Sequence, residues 1–278
     1  MNTDDEAHLR SQSGLGAGVA LTAIPTSKEL RIEPHLYRTI MLRRLRQPLS
    51  ITCSICSCHR IIDPLGDHLA SCATCGALVR RSYAQESAVA RVFREAGGRV
   101  RTNVLLRDLN VQGIDPRDGR KIEVIVDGLS LYHGKQLAVD ATIVCALGGN
   151  GKAHEGCSEE DGIAMTRARK RKEDRYPELV GRRTRAKLVV FAMEVGGRWS
   201  EESWKCLAAL ARGRARDVPE MLRVSAAAAW HRRWSSLLGV AVQRAVAISL
   251  LGLKDGGGAN GELATLGDVL EDARYEHR

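Results

Sequence analysis

Aromatic side chains are scarce in this chain of 278 residues, with two Phe, five Tyr and four Trp. So thin a supply argues against a surface on which successive bases of a single strand stack. No apolar run follows a basic start at the N-terminus, so no secretory signal is expected. Long unbroken apolar runs are missing as well. The longest, Trp234 to Leu253, is interrupted by Gln243 and Arg244, which argues against a membrane span. The expected location is therefore nuclear or cytoplasmic, not secreted, with no membrane partner. Apolar residues at 44 % and charged residues at 27 % also leave out wholesale disorder and collagen-like structure. The length admits one large domain or two smaller ones.

What the chain does have is positive charge and clustered cysteine. Lys and Arg number 42 against 33 Asp and Glu, a net +9. Between Arg167 and Lys187 ten basic residues face three acidic ones, so most of the excess lies in one stretch. Such a patch points to a polyanion partner. Five of the eight cysteines fall between Cys53 and Cys75. Without a secretory signal, that clustering favours zinc over disulfides.

The pattern along the chain is polar and Gly-rich over 1–30, read as a loose tail. A short basic helix follows over 34–47, stopped by Pro48. After the Cys cluster, Ala84, Ala88, Val92 and Ala96 predict a helix over 82–96, ended by Gly97–Gly98. The period then changes. Residues 99–106 read as a strand. Residues 121–132 and 135–145 read as a hairpin joined across His133–Gly134. A basic helix is expected over 159–176, ended by Pro177, and a further strand over 186–195. Ser200 is an N-cap candidate for a helix to about 216. Residues 219–253 read as helical, and the last 25 as frayed. No internal repeat is visible. The order predicts an α/β fold with a mixed β-sheet flanked by helices, because a strand reached through a helix lies parallel to its partner.

Two constellations carry chemistry. In ITCSICSCHRIIDPLGDHLASCATCG, His68-x3-Cys72 suits one loop of a tetrahedral zinc site, and Cys53-x2-Cys56 or Cys56-x-Cys58 suits the other. Cys75 adds a Cys72-x2-Cys75 pair, and spacing alone leaves the choice among these six open, with free thiols as the alternative. Asp63-Pro64-Leu65-Gly66 between the halves is good turn material. The second constellation is acidic. Asp127 and Asp140 each lie inside an apolar strand pattern, where a carboxylate is costly unless paired, protonated or bound to metal. From spacing alone two readings stand: a shared Mg²⁺ held between neighbouring strands, or separate strand-end and Arg-paired acids. Glu86 on the preceding helix offers a third carboxylate. Lys172 and Tyr176 lie one turn apart on the basic helix, whose other cations suit phosphates or nuclear localisation.

Taken together, three stretches resemble one family. CSCHRIIDPLGDHLASC resembles the Cys-x-Cys…Gly-x-His-x3-Cys knuckle after the reverse transcriptase domain of many non-LTR retrotransposon polyproteins. IEVIVDGLSLYHGKQLAVDATIV resembles the PDG…DATV segment that follows it there, and ARKRKEDRYPEL resembles the downstream Lys…Tyr element. SQSGLGAGVALTAIP with RRLRQPL resembles the segment leading into the knuckle. The resemblance covers about residues 10–253. It implies a restriction-endonuclease-like core of the PD-(D/E)xK superfamily, ordered helix–three strands–helix–strand, with an N-terminal zinc knuckle and C-terminal helices. It implies zinc ligands Cys56, Cys58, His68 and Cys72, with Cys53 in reserve. Asp127 and Asp140 become the Mg²⁺-binding catalytic carboxylates, Glu86 the helix carboxylate and Lys172 the catalytic lysine. Arg169, Lys170, Arg171 and Arg175 become nucleic-acid contacts. Val126 stands where the motif has Pro, Thr142 where it has Lys, and His59 where the knuckle has Gly. No Tyr/Phe-x-Asp-Asp polymerase motif is present, so the resemblance implies a C-terminal piece detached from its polymerase.

The expected organisation is a tail (1–33), a basic helix and linker (34–50), the knuckle (51–79), the endonuclease-like α/β domain (80–217), a C-terminal helical segment (218–253) and a second tail (254–278). The expected activity is Mg²⁺-dependent nicking of duplex DNA. The rivals are a non-catalytic DNA- or retroelement-RNA-binding remnant and a zinc-stabilised interaction module. No small-molecule substrate is expected.

Overall fold

The computed structural model describes residues 2–51, 54–109, 111–181 and 184–253. Its centre is a four-stranded sheet in the order β1-β2-β3-β4. The strands are β1 (Arg99–Leu105), β2 (Lys121–Asp127), β3 (Gln136–Val144) and β4 (Ala186–Glu194). β1/β2 and β2/β3 are antiparallel, and β3/β4 is parallel. The chain crosses over through a helix between β3 and β4, the connection a parallel pair requires, as the element order predicted.

The helices are α1 (Thr3–Ser11), α2 (Val19–Thr22), α3 (Pro34–Arg44), α4 (Asp67–Ser71), α5 (Ala77–Glu95), α6 (Ile163–Arg175), α7 (Glu201–Arg214) and α8 (Arg223–Leu250). No described helix is long and apolar enough to cross a membrane. α5 starts five residues earlier than its apolar spacing predicts and ends at Gly97, whose φ of +91° suits only glycine well. It packs Val89, Val92 and Phe93 onto one sheet face, where Val124, Val126, Val139 and Phe191 point. The Phe93 and Phe191 rings meet edge to face at 5.8 Å. α8 covers the other side of α5. Trp234 Nε1 and Arg233 both donate to the buried Glu95 carboxylate, which satisfies an otherwise costly charge. α6 packs on the opposite face through Met165, against Ile125, Ala138 and Leu188.

The two sheet edges are handled differently. On β4, Ser203 Oγ from α7 accepts from the Ala192 N–H at 3.0 Å, satisfying a donor that has no strand partner. β1 stays open but carries Arg99 and Arg101, and Asn103 bends it with φ +54°.

Two expectations need correction. The part of the expected tail that is described, residues 2–33, is not loose. Asn2 caps α1 by accepting from the Asp5 N–H at 2.8 Å, and Ala7 is fully buried. The following segment lies on Gly196, where an added Cβ would fall within 2.5 Å of Ser11, so only glycine fits there. The second concerns the segment expected as the knuckle (51–79), which packs into the main core. Cys56, Leu69, Ala70 and Cys72 belong to the same apolar core as Phe93 and Trp234. The tail expected over 254–278 lies outside the described residues.

Candidate metal centre and acidic site

The first site is local in origin. Ile55 and Ile61 pair in a short antiparallel bridge, and the chain between them turns tightly. The Cys56 N–H donates to the Arg60 carbonyl at 2.9 Å. His59 occupies the turn position with φ +64°. A left-handed conformation there explains why glycine is the residue expected in a knuckle of this kind. On the other side of the centre, Asp63 accepts from the backbone N–H groups of Leu65, Asp67 and His68 at 2.7–3.0 Å. That opens α4 after Gly66, whose φ is +75°. His68 and Cys72 then project from one helical turn.

The result brings one ligand atom each from Cys56, Cys58, His68 and Cys72 within 4.8 Å of one another. Cys56 Sγ and Cys72 Sγ are 3.8 Å apart, and Cys58 Sγ is 3.2 Å from His68 Nε2. A tetrahedron with Zn–S bonds of about 2.3 Å has S···S edges of about 3.8 Å, so the donor set and its spacing fit zinc. His68 Nδ1 lies 3.1 Å from the Gly149 carbonyl. A proton there fixes the ring and leaves Nε2 as the ligand, the usual outer arrangement at a zinc histidine. Burial raises the Cys56 thiol, but hydrogen bonds from the Cys58 backbone and His68 outweigh it and hold the thiol below its ordinary range. Cys75 stands outside the four, with Sγ 3.6 Å from the Cys72 carbonyl. Cys53 lies outside the described residues.

The second site is where the structure departs most from expectation. The observed register pairs Val124 with Val139 and Val126 with Leu137. One step further toward the strand start sets Glu123 across from Asp140; one step the other way sets Asp127 across from Gln136. Asp127 accordingly accepts from Gln136 Nε2 at 2.8 Å and lies 3.5 Å from Arg101. It sits four residues along β2 from the position facing Asp140, about 13 Å at roughly 3.3 Å per residue. The structure does not bring Asp127 and Asp140 together. The cause is the turn. Tyr132 and His133 are left-handed, and the hairpin is centred between residues 131 and 132, not at His133–Gly134. A two-residue shift in the centre moves the pairing by four.

Glu123 takes the place expected of Asp127. Its Oε2 accepts from the Ala141 N–H at 2.5 Å. Burial first, and the Asp140 charge second, push its carboxyl well above the ordinary range. Asp140 is 1 % exposed, and Lys172 Nζ from α6 lies 2.6 Å from its Oδ1. Burial also raises the Asp140 carboxyl, with Lys172 opposing. Asp140 Oδ2 has no hydrogen-bond partner. Glu86 is half-buried on α5 and raised by burial and by Asp140. This group is looser than the first. Among the described residues, only the Cys/His set brings three or more ligand atoms within 4.8 Å. Glu123 was legible as another carboxylate in an apolar run, KIEVIV, but only the register reveals its partner.

The basic helix is less free than its composition implies. Arg169 lies 3.3 Å from both Glu173 and Glu202, and Lys170 is 3.0 Å from Asp174. Arg171 is exposed, and the Arg175 guanidinium lies over the Tyr176 ring at 5.4 Å. Tyr176 is buried and donates to the Lys121 carbonyl at 2.8 Å, a structural role.

The fold and sites therefore define a mixed α/β protein with a Cys3His cluster that could hold a metal such as zinc. In comparisons with known proteins, no protein-family model and no curated protein matches the chain.

Proposed function

We propose that this chain is a divalent-metal-dependent DNA endonuclease-like domain, with structural zinc at Cys56, Cys58, His68 and Cys72. Its acidic centre is Asp140 with Glu123, flanked by Glu86 and Lys172. The observation that carries the reading is the pairing of buried Asp140 with Lys172 beside a second, partly buried carboxylate, Glu123, on the next strand. The likeness to retrotransposon endonuclease-like segments supports it.

Carboxylate oxygens are the donors Mg²⁺ takes. Asp140 Oδ2 has no other partner, and repulsion between the buried Asp140 and the partly buried Glu123 favours a cation. Asp140 and Glu123 would hold that ion, which supplies positive charge against a phosphodiester when bound. The chain's own groups do the rest. Lys172, anchored by Asp140, is placed to neutralise a phosphate oxygen or orient the attacking water. Glu86, whose carboxyl is raised by burial and by Asp140, is the candidate proton acceptor beside them. Arg171 and Arg175 on α6 would track the duplex backbone. A second reading, a binding remnant without catalysis, is favoured by the looseness of the acidic group.

Nicking of supercoiled plasmid in Mg²⁺ separates the two. Asp140→Ala and Glu123→Gln should each reduce nicking at least a hundredfold, while Asp127→Ala should leave it within about threefold. Salt-sensitive DNA binding should survive in all three. Wild-type protein that binds DNA but never nicks would leave the remnant. Loss of nicking in Asp127→Ala alone would overturn the Glu123 assignment.

A further inference from the structure

Arg81 stands on the second turn of α5 and is only 1 % exposed. Its Nη2 donates to the Ala70 carbonyl at 2.8 Å. Nε and Nη1 are buried with no hydrogen-bond partner, and no carboxylate among the described residues forms an ion pair with Arg81. A guanidinium keeps its charge in proteins, and a buried unpaired charge is among the costliest features a fold can carry. Something must compensate it.

The position of its single hydrogen bond indicates what does. Ala70 lies on α4, two residues after His68 and two before Cys72, so Arg81 is docked on the loop that supplies half of the Cys3His set. Burial is the largest influence and opposes its charge, as do Arg43 and Arg80; the nearby thiols Cys145 and Cys75, which lie outside the four-residue set, favour it. Cys75 in turn donates to the Cys72 carbonyl. The charge count completes the case. A 2+ ion with three thiolates and a neutral imidazole carries a net −1.

We propose that Arg81 is the buried counter-cation of the metal centre, offsetting the net −1 of a divalent ion held by three thiolates and an imidazole. The inference rests on the metal reading of the Cys/His cluster and not on nuclease activity. Arg81 acts here as a positioning residue, since it touches the ligand loop and not the metal. Its worth depends on the charge of the centre, and that distinguishes it from a side chain that merely ties α5 to α4.

The test is zinc affinity of the full chain, read by competition with a chromophoric chelator, with folding followed by circular dichroism. Arg81→Met should weaken zinc binding tenfold or more, the range seen for outer groups at metal sites. Arg81→Lys should stay within about threefold of wild type, and Arg80→Met, at an exposed neighbour, should change nothing. Cys58→His makes the centre neutral, and in that background Arg81→Met should cost less than threefold. Equal losses in both backgrounds, equal losses for Met and Lys, or full affinity in Arg81→Met would each overturn the proposal. A wild-type chain that binds no zinc would overturn the metal reading and this inference with it.

Discussion

Glu194 closes β4 with 3 % exposure, and its Oε2 finds no hydrogen bond, since Arg198 Nε is 3.8 Å away. Burial pushes its carboxyl up to about 7, with Arg198 opposing. The folded value exceeds the unfolded one, so the unfolded chain ionises first as pH rises. Stability is unaffected below about pH 4.5, falls between there and pH 7, and stays reduced above, by up to roughly 3 kcal/mol. Glu194→Gln should therefore raise the melting temperature at pH 8 and leave it unchanged near pH 4, as thermal unfolding at the two pH values would read. The same physics separates the acids of the sheet. Asp127 reaches a strand end and finds Gln136, whereas Asp140 and Glu123 are enclosed and must share a charge problem.

At the scale of elements, the connection between β3 and α6 joins the metal centre to the acidic site. Residues 146–162 leave the strand that carries Asp140 and enter the helix that carries Lys172. The knuckle holds this segment at two points: Ser71 Oγ donates to the Leu147 carbonyl at 2.6 Å, and His68 meets the Gly149 carbonyl. From the other side, Asp4 of α1 accepts from the Ala153 N–H at 2.8 Å and pairs with Lys152. If the Cys/His cluster holds zinc, its removal would free His68 to turn. Hydrogen exchange after chelation should lose protection in residues 54–72 and 146–162, while β3 and β4 keep theirs; uniform loss throughout would show that the coupling is not through this segment. The hairpin was legible as two strands, and the helix termini as caps. Ser200 does cap α7, accepting from the Ser203 N–H. The register was not legible, because it depends on left-handed backbone at Tyr132 and His133, residues with no intrinsic demand for it.

At the scale of the whole molecule, the N-terminal segment is a brace. Arg44 donates to the Gly196 and Gln12 carbonyls, Arg198 to the Arg10 carbonyl, and Arg10 pairs with Asp161. Asp67, buried in the knuckle, receives Arg43 and Arg46, and Arg46 also reaches Asp5. Charges from three parts of the sequence thus close one network. Deleting residues 1–22 should lower the unfolding midpoint by roughly 5–10 °C, at about 2–4 °C per kcal/mol for chains of this size. An unchanged midpoint would mean that the segment rests on the surface without holding it.

The sequence by itself determined whatever depends on neighbours along the chain. Apolar period set the four strands and the long helices. Ligand types and turn residues between Cys56 and Cys72 set the metal cluster, because all four donors come from 17 consecutive residues. Tertiary structure alone decided which carboxylate faces Asp140, since that follows from the centre of a hairpin. It alone decided that Lys172 is bound by Asp140 and that Arg169 meets Glu202 of α7, since those partners are fixed by helix placement, whereas Glu173 and Asp174 reach Arg169 and Lys170 by i,i+4 spacing along α6 itself. It also ordered a Gly-rich N-terminus whose apolar residues are small or scattered. That segment has no core of its own, and it becomes ordered only where glycines at 196 and 197 let its backbone approach the sheet.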